Sequence, residues 1–190
     1  MLEKQVAQRH RERKEEKFNI ICLFLLMSSG TRKKKGKIRM KEIEILSESA
    51  NYSAIDLGKL ADLMDYTLVH PVNKRLIEGK VFLKESTKAT GTEISFNSLP
   101  PHSEQPYFHI HRKNEETYII LKGSGFFQVD DACFDIKEGS VIRVAPQGKR
   151  GICNSSDETM IYMVIQSKEN SLEEYTTADG ERVPFEPKWK

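Results

Sequence analysis

From Lys80 onward, apolar and polar residues alternate in short runs separated by turn residues, the two-residue period of strands with one buried face. The pattern predicts strands over 80–84, 92–99, 107–112, 116–122, 125–130, 133–137, 140–144 and 160–166. Turns fall at Lys122-Gly123-Ser124-Gly125, Asp130-Asp131, Lys137-Glu138-Gly139, Pro146-Gln147-Gly148 and 154–157. Short strands at this spacing, with no helices between them, point to a sandwich or barrel and away from a β-α-β fold. A short helix is predicted over 57–64 (LGKLADLM), and 171–190 reads as an irregular strap over the barrel with Trp189 pinning its end.

The chain therefore divides into a leader (1–39), an arm with a short helix (40–78), a barrel (79–170) and the strap (171–190). The formal net charge of +2 averages unlike pieces. Residues 1–40 hold 12 basic and 4 acidic side chains, net +8, and the other 150 residues hold 18 and 24, net −6. An acidic body without a basic stripe argues against a nucleic-acid surface. In the leader, FNIICLFLLM (18–27) is too short to span a membrane, so no stable insertion is expected. An exported or surface-anchored form through residues 1–30 is opposed by Glu3, Glu12, Glu15 and Glu16 before the run and by Lys33, Lys34 and Lys35 after it. Nothing before Met40 patterns like a fold, so the leader is read as disordered or a start-site artefact. Three cysteines, Cys22, Cys133 and Cys153, make no disulfide framework and suit a reducing, cytoplasmic location.

Chemistry concentrates at His109-Ile110-His111 and Glu116. Alternation on a strand puts both imidazoles on one face, and a turn through 112–115 brings Glu116 opposite them on the next antiparallel strand. Two neutral imidazoles and a carboxylate suit one divalent Fe, Mn, Ni or Zn ion and leave positions open for water or substrate. Polar residues on an exposed strand face are the alternative reading.

His109-x-His111-x4-Glu116-x6-Gly123 resembles the first motif of the cupin superfamily, HxHx(3,4)Ex(6)G. The likeness extends to small single-domain cupins through Gly79 to Leu83, Thr90 to Ser95, Leu99-Pro100, His109 to Tyr118, Glu138 to Arg150 and Ile165-Gln166. It implies an all-β, double-stranded β-helix jelly roll and a metal on His109, His111 and Glu116. The second motif, Gx(5)PxGxxHx(3)N, is not matched. Six residues separate Gly139 from Pro146, Gly151 stands at the histidine position counted from Pro146, and Asn154 lies one residue early. Cys153, two residues on, would share the face of Gly151 and is a candidate fourth ligand; a small buried core thiol is the alternative. Glu115 competes with Glu116, but only Glu116 keeps the spacing to Gly123.

Around the cluster, Tyr107 and Gln128 are candidate ligand-binding residues, Tyr118 a candidate for handling protons, and Gln166 a further amide. Lys149 and Arg150, in the loop beside the missing histidine, suit a carboxylate or phosphate. His102 sits in an exposed loop, and His10 and His70 carry no signal. Phe108, Ile110, Ile119 and Leu121 face away from the ligands and need cover, from the N-terminal strands or a second subunit, since homodimers are common in proteins resembling this family. The reading is a cupin binding a small polar or anionic molecule, a sugar, sugar phosphate or carboxylate. If an enzyme, it is metal-dependent and isomerase- or dioxygenase-like, and fold does not choose between these. The alternative is a non-catalytic binding or sensor module with a degenerate or metal-free pocket.

Overall fold

The computed structural model describes residues 41–70 and 74–189. The leader, with His10 and Cys22, lies outside the described residues. Strands run β1 (Glu44–Glu48), β2 (Ser53–Asp56), β3 (Thr67–Val69), β4 (Leu76–Glu78), β5 (Lys80–Phe82), β6 (Thr92–Leu99), β7 (Ser103–Glu104), β8 (Asn114–Lys122), β9 (Ser124–Val129), β10 (Ala132–Lys137), β11 (Val141–Val144), β12 (Arg150–Asn154) and β13 (Met160–Lys168). A five-stranded sheet in the order β11-β8-β13-β6-β5 faces a four-stranded sheet in the order β10-β9-β12-β7. All pairings are antiparallel. This is the double-stranded β-helix jelly roll expected from the sequence, as two sheets that do not close into a continuous barrel.

Alternation gives the five-stranded sheet two buried faces. Its inner positions Tyr118, Ile120, Met160, Tyr162 and Val164 meet Phe127, Ile136 and Ile152 of the opposite sheet in the main core. The outer positions Ile94, Phe96, Leu121 and Ile161 pack with Ile43, Ile55, Leu60, Leu63 and Tyr66 in a second core. The N-terminal arm thus covers Leu121, one of the two alternatives open for that face, while Phe108 and Ile110 stay about half exposed.

Several expected elements differ. The helix expected over 57–64 is a 3-10 helix at Leu60–Asp65, because Gly58 (φ +69) accommodates a turn in which its N–H donates to Asp56 Oδ1 at 2.7 Å. The strand expected over 107–112 is an extended segment tied to β12 by a single bridge between His109 and Arg150. In 171–189 the large apolar side chains are exposed, and Trp189, 79 % exposed, meets the Phe185 ring rather than pinning the tail to the sheets.

Gly123, at φ +87, makes the β8–β9 turn and leaves no room for a side chain, since a Cβ there would come 2.9 Å from Met160 Cα. Phe127 has no exposed surface and stacks edge-on against Tyr118 at 4.8 Å. Phe127→Ala is expected to lower stability by about 3–5 kcal/mol in urea denaturation, and Phe126→Ala, on the outward face of the same strand, far less. Equal losses would mean that the core does not lie between the sheets.

Candidate metal centre and its pocket

Along the inner face of the five-stranded sheet the apolar core gives way to polar positions. Glu116 on β8 stands beside Gln166 on β13, which pairs in turn with Glu93 on β6. Above them, His109 N donates to Arg150 O at 3.3 Å, Arg150 N to His109 O at 3.1 Å, and His111 N to Pro146 O at 2.8 Å. These bonds hold the segment extended, so both imidazoles turn inward while Phe108 and Ile110 turn out. The histidines and Glu116 therefore come from opposite sheets and not, as the sequence suggested, from neighbouring strands.

One ligand atom from each of His109, His111 and Glu116 can be chosen so that all lie within 4.8 Å of one another. His111 Nε2 is 3.1 Å from Glu116 Oε1, and His109 Nε2 is 3.6 Å from Oε2. His109 Nδ1 and His111 Nε2 are buried without hydrogen-bond partners, as expected of nitrogens that await a ligand. Burial pushes the His111 pKa down, with the Arg150 charge acting the same way against Glu116, so its imidazole is neutral and suited to a metal. Gln166 Nε2 lies 3.2 Å from His111 Nδ1. Reversing that amide lets it accept from Nδ1–H and frees the Nε2 lone pair, so the contact serves either tautomer. The donor set fits a divalent transition metal at three positions.

The fourth position is filled by Arg150, which has no exposed surface. Its Nε donates to Glu116 Oε2 at 3.0 Å and Nη2 approaches the same oxygen at 2.9 Å. Nη1 reaches the carbonyls of Gly148 at 2.8 Å, Pro146 at 3.2 Å and His109 at 3.4 Å. Tyr118 donates its hydroxyl to Oε2 at 2.7 Å. The two carboxylate oxygens thus have different surroundings: Oε2 is held by Arg150 and Tyr118 and approached by His109, and Oε1 faces His111.

Arg150 was expected as a ligand-binding loop cation and Gly151 as the histidine's replacement; the structure corrects both. Arg150, Ile152 and Asn154 point inward on β12, and Gly151 lies outward beneath the Phe108 ring, which a Cβ there would approach to 2.9 Å. The sequence carried the signal. Counting eleven positions from Gly139, or four back from Asn154, lands on 150, and only the Pro146–Gly148 turn is displaced by one. Cys153 accordingly faces away from the cluster, into a groove with Phe126 and Cys133, where burial and Glu104 raise its thiol pKa. It is not the fourth ligand.

Gln128 lines that same groove and donates to Asp130 O at 2.8 Å, because its neighbour Phe127 takes the inward position. Lys149 is exposed at the turn, with its N–H on Asp130 Oδ1. Neither reaches the pocket. Glu115 points outward to Arg143, whose Nε donates to it at 2.7 Å, and His102 pairs with Asp157 on the surface. Tyr107 does line the pocket, 5.8 Å from the His109 ring. Tyr118 is buried with its hydroxyl committed to Glu116, and burial and that charge push its pKa up, so it supports the carboxylate instead of relaying protons. The cavity, about 220 Å³, is also lined by Lys80, Ser95, Asn97, Gln105 and Tyr162. None of these was singled out from the sequence, and Lys80 is the one among them that carries a positive charge.

Burial raises the Glu116 pKa, but the hydrogen bonding of His109 and Tyr118 and the positive charge of Arg150 outweigh it and carry the carboxyl down to about 2. The 2.7 Å Tyr118 and 3.0 Å Arg150 contacts are closer than the 3.6 Å approach of His109, so they take the larger share. A depressed carboxyl contributes stability that is complete above its unfolded pKa of 4.5 and is lost as pH falls toward about 2. Acid denaturation of metal-free protein should therefore show a loss across that window which Glu116→Gln flattens. An unchanged acid limb in the variant would contradict the assignment.

The model of the cupin domain matches residues 96–166. Among curated proteins, none matches the chain. A cupin protein from Bacteroides fragilis of known structure is 41% identical, covering 55% of this chain and 89% of its own, with a TM-score of 0.53. A protein with a double-stranded β-helix domain from Klebsiella pneumoniae is 17% identical over 60% of this chain and 91% of its own, TM-score 0.45. A "predicted oxalate decarboxylase" from Thermotoga maritima is 25% identical over 50% and 83%, TM-score 0.44. The identity to the Bacteroides protein over most of its length, together with the matched domain and the jelly roll, makes this chain a member of the cupin superfamily.

Proposed function

We propose that the protein binds a small polar or anionic compound in its inter-sheet cavity, beside one divalent transition metal on His109, His111 and Glu116. The observation that carries this reading is the gathering of the His109 and His111 rings around the Glu116 carboxylate, with His111 Nε2 3.1 Å from an Oε1 that is free of Arg150 and Tyr118. When bound, the metal supplies a Lewis acid for a ligand oxygen. The chain's own side chains do the holding: Gln166 orients His111, Arg150 and Tyr118 fix Glu116, and Tyr107 stands at the cavity wall.

A second reading, a binding or sensing module without metal, is favoured by Arg150. Its guanidinium already compensates the Glu116 charge and stands where a fourth ligand would be. The same protein is read as a homodimer in the cytoplasm, supported by exposed Phe108, Ile110, Phe126 and Phe134 and by the free thiols of Cys133 and Cys153. Among the described residues no helix is long and apolar enough to cross a membrane.

Elemental analysis after anaerobic reconstitution with Fe, Mn, Ni and Zn should find about one metal per chain. His109→Ala with His111→Ala should abolish it, and Arg150→His should strengthen retention by adding a donor and removing a charge. Wild-type protein without stoichiometric metal, alongside an Arg150→His variant that holds it, would establish the metal-free reading. Sedimentation equilibrium should return twice the chain mass, and Phe108→Asp should shift it toward one. A wild-type protein at the mass of one chain would remove the dimer.

A further inference from the structure

The cavity contains a cation that neither the metal-ligand cluster nor the fold consumes. Lys80, on edge strand β5, turns its side chain inward, while Val81 and Leu83 pack into the second core. Among the described residues no carboxylate lies within ion-pair distance of its ammonium, which sits 4.8 Å over the Phe82 ring.

The two acids that influence it are engaged elsewhere. Glu93 Oε1 accepts the backbone N–H groups of Leu83 at 3.0 Å and Lys84 at 2.9 Å, and Glu116 is held by Arg150 and Tyr118. Burial lowers the Lys80 pKa, and Glu116 and Glu93 act against that, so the ammonium is desolvated without a direct partner. A cation in that state gains from a ligand carboxylate, which restores both a counter-charge and hydrogen bonds.

The cavity floor shapes what accompanies the charge. Between Lys80 and Glu116 run two strands that present Ser95 and Asn97 from β6 and Tyr162, Val164 and Gln166 from β13, the one charged side chain there being Glu93, which caps the N–H groups of Leu83 and Lys84. At about 4.8 Å per strand, β5 and β8 lie on the order of 14 Å apart, so a ligand touching both ends must reach from one cation to the histidine cluster. The 220 Å³ cavity has the bulk of about seven waters at roughly 30 Å³ each. A single ammonium without a helix N-terminus or a second cation matches a carboxylate better than a phosphate dianion.

We propose that Lys80 is the anion-recognising residue of this cavity, and that the ligand is a small organic acid whose carboxylate meets Lys80 while a second oxygen faces His109, His111 and Glu116. The ligand class rests on the reading of that cluster as the ligand-binding centre, whereas the role of Lys80 has its own readout. Lys149 and Arg150, the cations that sequence alone suggested for this task, are respectively outside the cavity and spent on Glu116.

The test is calorimetric titration of the full chain, with its metal content measured in each preparation, using malonate, inorganic phosphate and glycerol as probes. Wild-type protein should bind malonate in preference to phosphate and glycerol. Lys80→Met and Lys80→Gln should each lose at least about tenfold in malonate affinity, with metal content and melting temperature unchanged, and Lys80→Arg should recover part of the loss. Malonate binding that survives both neutral variants, preferential phosphate binding, or no malonate binding by wild type would overturn the proposal. A wild type without metal that still binds malonate through Lys80 would refute the metal reading and leave this one standing.

Discussion

The buried ion pair between Arg150 and Glu116 is the constraint on which the site depends. A guanidinium with no exposed surface is tolerated only because Glu116 and three backbone carbonyls accept from it. Removing one partner of such a pair typically costs about 3–5 kcal/mol, since the other is left charged and desolvated. Three of those acceptors are on the segments that carry the ligands: His109 itself, and the Pro146–Gly148 turn that anchors His111 N. Arg150 therefore positions the imidazoles, the carboxylate and the turn together, joining the two sheets at the place where the apolar core ends.

The architecture around the pair follows from antiparallel alternation. Every second residue of β6, β8 and β13 enters the inter-sheet core, and the residues between them form a second core with the N-terminal arm. Where the inner positions change from Tyr, Ile and Val to Glu116, Gln166, Ser95 and Asn97, the same alternation produces a polar cavity without special backbone. A rigid apolar floor below and a cross-sheet ion pair beside it hold the donors in place, an arrangement suited to binding a ligand without large movement.

The strands from residue 80 onward were legible because one face of each is buried and the turns between them carry glycine, aspartate or proline. β6 spans the expected 92–99, and β8 to β11 and β13 differ from expectation by one or two residues at their ends. β1 was not legible, since all five of its residues are exposed, and β3 and β4 are three residues each. β12 was hidden for the opposite reason, with Arg150, Gly151, Ile152 and Asn154 all buried in a five-residue strand that shows no alternation. At the site, His109, His111 and Glu116 were readable from spacing. Arg150 was misread because a turn displaced by one residue shifted the count, and because a buried arginine gives no signal distinct from an exposed one until its partner is known. Lys80 was passed over because a lysine on a short edge strand reads as solvated.

One carboxylate is divided at this site, with Oε2 held by Arg150 and Tyr118 and Oε1 open beside His111, and the proposed metal would share Oε1 with both imidazoles. Anomalous diffraction at the metal edge, from crystals grown with Mn(II) or Zn(II), addresses it most directly. One ion bonded to both imidazoles and Glu116 Oε1 is expected, with the Arg150 guanidinium still on Oε2. An ion that displaces Arg150 from Glu116, or no ion between the two histidines, would contradict it.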